Sequence, residues 1–289
     1  MSERFDELVR LMAKLRAPDG CAWDRKQTHD SLKPYLVEEA YEVLETIDQK
    51  DMEGLREELG DLFLQVLFHA QVGAEAGTFT IDEVMQHLAA KLVRRHPHVF
   101  GDSQKGGDSL HADEVLARWE QIKRDERQQT GQPGSLLDGV PKTLPALLRA
   151  FQIQARAARV GFDWTQIGHV MEKVEEELRE LREAMAPGSQ GTSPTGTTQA
   201  SGELHDRVES EFGDVLFALV NLARFIKVNP EEALRKAVNR FTDRFQYLEA
   251  EAARAGRTLE EMTLEEMDAL WVEAKRKRAS NPGGSGSGH

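Results

Sequence analysis

Apolar residues recur along this chain at intervals of three and four, the period of a helix that is buried on one side. Phe5, Leu8, Leu11, Met12 and Leu15 set the pattern and predict an amphipathic first helix. The same spacing predicts helices over 32–48, 52–76, 81–95 and 111–128, then over 146–158, 166–185, 203–227, 230–255 and 263–279. No segment sustains the strict alternation that a half-buried strand requires. The expected fold class is therefore all-α. Between the two runs of helices, residues 129–145 carry Gly131, Pro133, Gly134, Gly139, Pro141 and Pro145. That punctuation reads as a linker between an N-terminal helical domain, 1–128, and a C-terminal one, 146–279.

The two halves share a pattern. Glu38-Glu39-Ala40-Tyr41-Glu42 returns as Glu176-Glu177-Leu178-Arg179-Glu180, and Glu58-Leu59-Gly60-Asp61-Leu62 as Glu211-Phe212-Gly213-Asp214-Val215. Lys91-Leu92-Val93-Arg94-Arg95 returns as Lys236-Ala237-Val238-Asn239-Arg240, and Trp119 with Lys123 as Trp271 with Lys275. A Trp beside an Asp stands near the start of each copy, Trp23-Asp24 in the first and Asp163-Trp164 in the second. Matches in the same order indicate an internal duplication. Sixteen positions separate Glu42 from Glu58, whereas thirty-one separate Glu180 from Glu211. The excess lies in 187–202, a Gly/Ser/Thr-rich stretch expected to be a disordered loop without chemistry of its own. Residues 280–289 read as a flexible tail.

Composition narrows the partners. With 39% hydrophobic and 30% charged residues, the chain has the balance of a globular domain. No apolar run reaches membrane-spanning length, the opening MSERFDELVR has no secretory apolar segment, and Cys21 is the lone cysteine. The expected compartment is the reducing cytoplasm. A net charge of −13 disfavours a nucleic-acid polymer as partner. It leaves room for a small phosphorylated substrate, which needs only a local cation cluster or a bound metal.

The acidic repeats carry the candidate chemistry. Residues three or four apart on a helix share a face. Glu39 and Glu42 therefore point together, as do Glu58 and Asp61, and a short turn near Asp51 makes the two helices antiparallel neighbours. Their four carboxylates are expected to converge, and Glu177, Glu180, Glu211 and Asp214 to do the same in the second copy. Four such groups repel unless a cation lies among them, and oxygen-only ligands favour Mg²⁺ or Mn²⁺. Taken alone, E-E-x-x-E is commonly a solvated helix face. Two features weigh against that here. Asp61 and Asp214 open nearly all-apolar runs, LFLQVLFHA and VLFALVNLARFI, expected to be buried centrally. Gly60 and Gly213 sit inside helices, where glycine costs about 1 kcal/mol, and are expected to admit a neighbouring helix or a ligand.

Together, E-E-x-x-E and E-x-x-D resemble the signature of the all-α nucleoside triphosphate pyrophosphatases, specifically MazG. LRAPDGCAWDRKQTHDSLKPYLVEEAYEVLE, EELGDLFLQVLFHAQ, KLVRRHPHVFG and EFGDVLFALVNLARF look like a tandem-domain bacterial MazG. The resemblance spans nearly the whole chain apart from 187–202 and the tail. It implies two tandem MazG-like helical bundles and homodimers. It also implies Mg²⁺-dependent hydrolysis of nucleoside triphosphates to monophosphate and pyrophosphate, and a role in nucleotide-pool house-cleaning or stress control.

On that reading the catalytic set is Glu176, Glu177, Glu180, Glu211 and Asp214. Metal held by the carboxylates grips the triphosphate and activates a water, which Glu38 or Glu176 orients unless these are plain surface glutamates. Lys173, Arg240, Arg244 and Trp271 match nucleotide-contact positions of the family. Lys236 and Asn239 complete that candidate set, with Lys91, Arg95 and Trp119 as first-copy counterparts. Trp271 either stacks on a base or packs a C-terminal helix. The first copy departs from the pattern: Tyr35 stands in the place of Lys173 and Val99 in that of Arg244. It is expected to bind metal but to grip phosphate less well, leaving most turnover to the second copy. His96 and His98 read either as metal ligands or as helix-end partners. No His has Glu three residues before it, which disfavours a di-iron bundle, and no Walker A or G-x-G-x-x-G motif is present.

Overall fold

The computed structural model describes residues 3–100, 122, 135–186 and 198–280. Among them every regular element is helical. The chain divides into two compact units, Met1–Thr130 and Gly131–Gly286. The predicted helix at 111–128, with Trp119, lies outside the described residues apart from position 122.

In the first unit, α1 (Glu3–Arg16) leads through a 3-10 turn (Asp24–Lys26) to α2 (Lys33–Gln49), α3 (Met52–Glu75), α4 (Ile81–Arg95) and α5 (Pro97–Phe100). The ends follow from local chemistry. Pro34 sits in the first turn of α2, where its missing N–H is no loss. Lys50 closes that helix in the left-handed conformation (φ 58°), and Asp51 at once caps α3 by accepting from the Glu53 and Gly54 amides. This tight connection makes α2 and α3 an antiparallel pair, with α1 and α4 packed on α3. A Thr80–Glu83 capping box opens α4. The core is built on Met12, Leu32 and Phe68, with Val72 against them.

Arg16 ties the segment after α1 to the end of α3. Its side chain is 6% exposed and donates to the carbonyls of Asp24 and Gln27, and through Nε (2.9 Å) and Nη2 (2.8 Å) to the Glu75 carboxylate. Its guanidinium also lies 5.5 Å from the centre of the Phe68 ring. Arg16→Ala leaves several acceptors unpaired and is expected to lower the stability of this unit by about 2 kcal/mol, read by urea unfolding. The hydrogen bonds from Arg16 hold Glu75 below the usual carboxylate range. The stabilisation they give is therefore complete above the ordinary carboxylate pKa and is lost as pH falls through the depressed one.

The second unit repeats the plan with α6 (Ala146–Ala158), α7 (Ile167–Met185), α8 (Thr198–Phe225), α9 (Pro230–Arg254), a 3-10 turn (Leu259–Glu261) and α10 (Leu264–Ser280). Helices α7 and α8 form the central pair, α6 packs on α8 as α1 does on α3, and α9 packs chiefly on α10 and α6. Val170, Val174, Val215, Ala218, Val220 and Leu248 are buried here. Gln154, itself buried, donates to the Phe217 carbonyl on α8 (2.8 Å).

Three expectations need correction. The stretch read as a linker is tied down over its second half: Arg156 donates to the carbonyls of Leu136, Asp138 and Gly139, so 135–145 belongs with α6. The chain is already helical at Thr198, because Pro194 and Gly196 lie behind it, so 198–202 are not loop; 187–197 lie outside the described residues. The central helices are also not buried all round. Leu59, Phe63 and Val66 on α3, and the repeat-equivalent Phe212, Leu216 and Leu219 on α8, are each between 36% and 53% exposed. Each trio recurs at three and four residues and forms one apolar stripe. Among the described residues, no helix is long and apolar enough to cross a membrane.

Candidate functional site

The antiparallel central pairs bring acidic residues together in both units. In the first, one carboxylate oxygen each from Glu39, Glu58 and Asp61 lie within 4.8 Å of one another. Glu42 borders the same cluster. Burial first, then the charges of Asp61 and Glu42, push Glu39 above its ordinary pKa; burial, then Glu42 and Asp61, do the same to Glu58. Burial together with like charges on two facing helices produces this pattern, and a cation would relieve it. In the second unit the close trio is Glu177, Glu180 and Glu211. Glu177 is 7% exposed, a position that an ionised carboxylate keeps only with a partner.

That partner is Lys173, one turn earlier on α7. Its Nζ lies 2.7 Å from Glu177 and 3.3 Å from Glu176. The Glu177 contact is the leading cause of the raised Lys173 pKa. Asp214 is exposed and lies outside the close trio. The donor sets are all carboxylate oxygen, on rigid helices, at a spacing that suits a small hard cation; the residues present therefore fit a divalent ion such as Mg²⁺.

Two expectations about these motifs are corrected. Asp61 and Asp214 are exposed, so the burial penalty falls on Glu177 instead. A Cβ built at Gly60 or at Gly213 meets nothing within 4 Å, so neither glycine makes room for a neighbouring helix. The space beside each acidic motif is open.

The candidate nucleotide residues fall into two groups. Lys173 stands at the carboxylates. The rest of the second unit's set lie on α9 and α10. Lys236 pairs with Glu232 (2.9 Å), and Arg235 and Lys236 together hold Glu232 down to about 2. Asn239 and Arg240 are exposed. Arg244 lies over the Trp271 ring (5.5 Å to its centre), and its buried Nε has no partner. Trp271 also meets Phe241, ring centres 5.1 Å apart. Trp271 is thus packed between helices while part of its surface stays accessible. In the first unit Lys91 and Arg95 are half-buried on α4, and Tyr35 packs edge-on against Trp23. His96 bonds the Leu92 carbonyl through Nδ1 (2.7 Å), the helix-end role of its two readings.

Sequence reasoning missed Gln65. Its Nε2 lies 3.5 Å from Glu39 Oε1, while its own Oε1 is buried without a partner. An unsatisfied buried acceptor of this kind costs about 1–3 kcal/mol. The available signal was a lone amide inside the apolar run LFLQVLFHA. His29 and His69 were also missed; they join Nδ1 to Nδ1 at 2.8 Å beside Phe79.

Comparison with known proteins places these features in a family. Residues 27–100 match the MazG nucleotide pyrophosphohydrolase domain. The chain is 47% identical over 271 residues to a nucleoside triphosphate pyrophosphohydrolase/pyrophosphatase MazG of Thermotoga maritima, covering 94% of this chain and 95% of that one. It is 45% identical over 275 residues to a nucleoside triphosphate pyrophosphohydrolase of Escherichia coli K12, covering 95% and 98%. An uncharacterized protein, YabN, of Bacillus subtilis is 47% identical over 271 residues, covering 94% of this chain and 51% of that one.

Proposed function

This chain belongs to the MazG family, and from that premise we propose that it is a divalent-metal-dependent nucleoside triphosphate pyrophosphohydrolase, cleaving (d)NTP to (d)NMP and pyrophosphate. The observation that carries the reading is the C-terminal trio Glu177, Glu180 and Glu211, gathered within 4.8 Å with Lys173 on its edge. Glu177, Glu180 and Glu211, with Asp214 beside them, would hold the metal. A bound Mg²⁺, or Mn²⁺ in its place, supplies Lewis-acid polarisation of the α-phosphate and neutralises charge on the pyrophosphate that leaves.

The protein's own groups do the rest. Lys173 has two acceptors, Glu176 and Glu177, and an arriving polyphosphate offers it stronger ones; its move to phosphate frees Glu177 for the metal. Glu176, released by the same move, orients the water for in-line attack. Arg240 and Asn239 lie open to solvent on α9, suited to phosphate oxygens, and Arg244 with Trp271 forms a cationic-aromatic surface for base or ribose. The N-terminal cluster keeps its carboxylates but has Tyr35 in place of the lysine, so it binds metal and contributes little turnover. A homodimer, a cytoplasmic location and a role in clearing or limiting nucleotide pools complete the proposal.

Product analysis tests it. The purified protein, given a mixed set of NTPs and dNTPs, is expected to yield monophosphate and pyrophosphate with Mg²⁺ and nothing with EDTA. Diphosphate with inorganic phosphate would place the cut elsewhere and overturn the assignment.

A further inference from the structure

The two carboxylate clusters differ in what holds their equivalent glutamates. Gln65 stands seven residues beyond Glu58; the equivalent position, seven beyond Glu211, is Ala218. Gln65 is 6% exposed, reaches Glu39 through Nε2 at 3.5 Å, and buries an unpartnered Oε1. In the second unit the donor comes from the other helix of the pair and carries a charge: Lys173 Nζ lies 2.7 Å from Glu177. Each repeat thus sets one N–H donor on the same glutamate, a neutral amide from α3 in one and an ammonium from α7 in the other.

We propose that Gln65 is the positioning residue of the N-terminal cluster, its amide fixing the Glu39 carboxylate for a lone divalent cation. This rests on the metal reading proposed above and adds a division of labour. An ammonium within hydrogen-bond reach of a ligand opposes an incoming cation until another anion draws it away. An amide orients the same carboxylate without net charge. The C-terminal cluster is therefore built to take its ion together with a polyphosphate, which gives Lys173 a new partner. The N-terminal cluster is built to take an ion with no nucleotide. A buried glutamine that leaves its own oxygen unsatisfied, at a site where alanine fills the other repeat, is explained by this orienting task.

The test uses the full chain carrying Glu177→Gln and Glu180→Gln, so that Mn²⁺ binding reports the N-terminal cluster. Free Mn²⁺ is read by electron paramagnetic resonance up to millimolar concentrations, without nucleotide. Gln65→Met, near in shape but without the donor, is expected to weaken Mn²⁺ binding about tenfold. The same change made on top of Glu39→Gln is expected to have no further effect, because Gln65 acts through Glu39. Unchanged affinity in Gln65→Met, or an equal loss with and without Glu39, overturns the inference. Absence of Mn²⁺ binding in the starting protein overturns the metal reading of this cluster itself. Circular dichroism checks the fold, and Gln65→Leu provides the same comparison if the methionine variant does not fold.

Discussion

Glu177→Gln with Glu180→Gln is expected to abolish pyrophosphate release, lowering kcat by at least about 10³-fold under saturating Mg²⁺. Glutamine keeps the shape of each side chain, so the α7–α8 pair should survive, as circular dichroism will check. The change strikes a trio whose oxygens lie within 4.8 Å of one another, one of them almost fully buried. It removes the charge that would offset a divalent ion, and it leaves Lys173 a neutral acceptor in place of its 2.7 Å ionic partner. The matching pair Glu39→Gln and Glu42→Gln is expected to retain most turnover, since that cluster has Tyr35 where the second has lysine. The opposite ranking, with C-terminal variants near full activity, would move the chemistry to the N-terminal unit.

Leu216→Glu with Leu219→Glu is expected to convert the proposed homodimer into monomers, raising its dissociation constant by at least about 10³-fold in sedimentation experiments. Both residues lie on the α8 stripe that includes Phe212, and α3 presents the matching stripe of Leu59, Phe63 and Val66. Apolar side chains in such a row are unusual on a surface that faces only water. Two carboxylates placed there remove apolar contact and bring charge into it. Helix geometry sets Glu211 and Asp214 on a different face of α8 from this stripe, so the variant is expected to keep its carboxylate cluster. A protein that is already monomeric before the substitution would sink this idea.

The helices were legible in the sequence because their signals are local. The period of three and four and the turn near Asp51 each act within a turn or two. The acidic faces were legible for the same reason, helped by a repeat that states them twice. The identity of the buried member was not. The sequence suggested the aspartates at the head of apolar runs, yet the structure buries Glu177, because burial depends on what the facing helix covers. Apolar residues were likewise read as core when part of them forms an exposed stripe; hydrophobicity marks a preference for burial without naming the surface that provides it. Gln65 stayed hidden because its partner lies twenty-six residues away, across a helix pair. The contacts of Arg156 stayed hidden because they are made to backbone carbonyls, which leave no trace in residue type.

The two leaders, the stretches of chain that precede each central helix pair, are fastened with opposite polarity. In the first unit a cation on the leader side, Arg16, grips an anion at the end of the central helix, Glu75. In the second an anion on the leader side, Asp163, is gripped by a cation at the end of the central helix, Arg224 (Nη1 to Oδ2, 2.9 Å). Tandem copies of one fold face a hazard while they emerge and collapse: a segment of one can dock on the frame of the other. By the register of the acidic repeats Glu75 answers to Val228 and Arg224 to Gln71, so such an exchange would leave Arg16 and Asp163 each without its ionic partner. The two ion pairs thus work as keys cut differently, favouring closure of each half of the duplicated chain on its own leader.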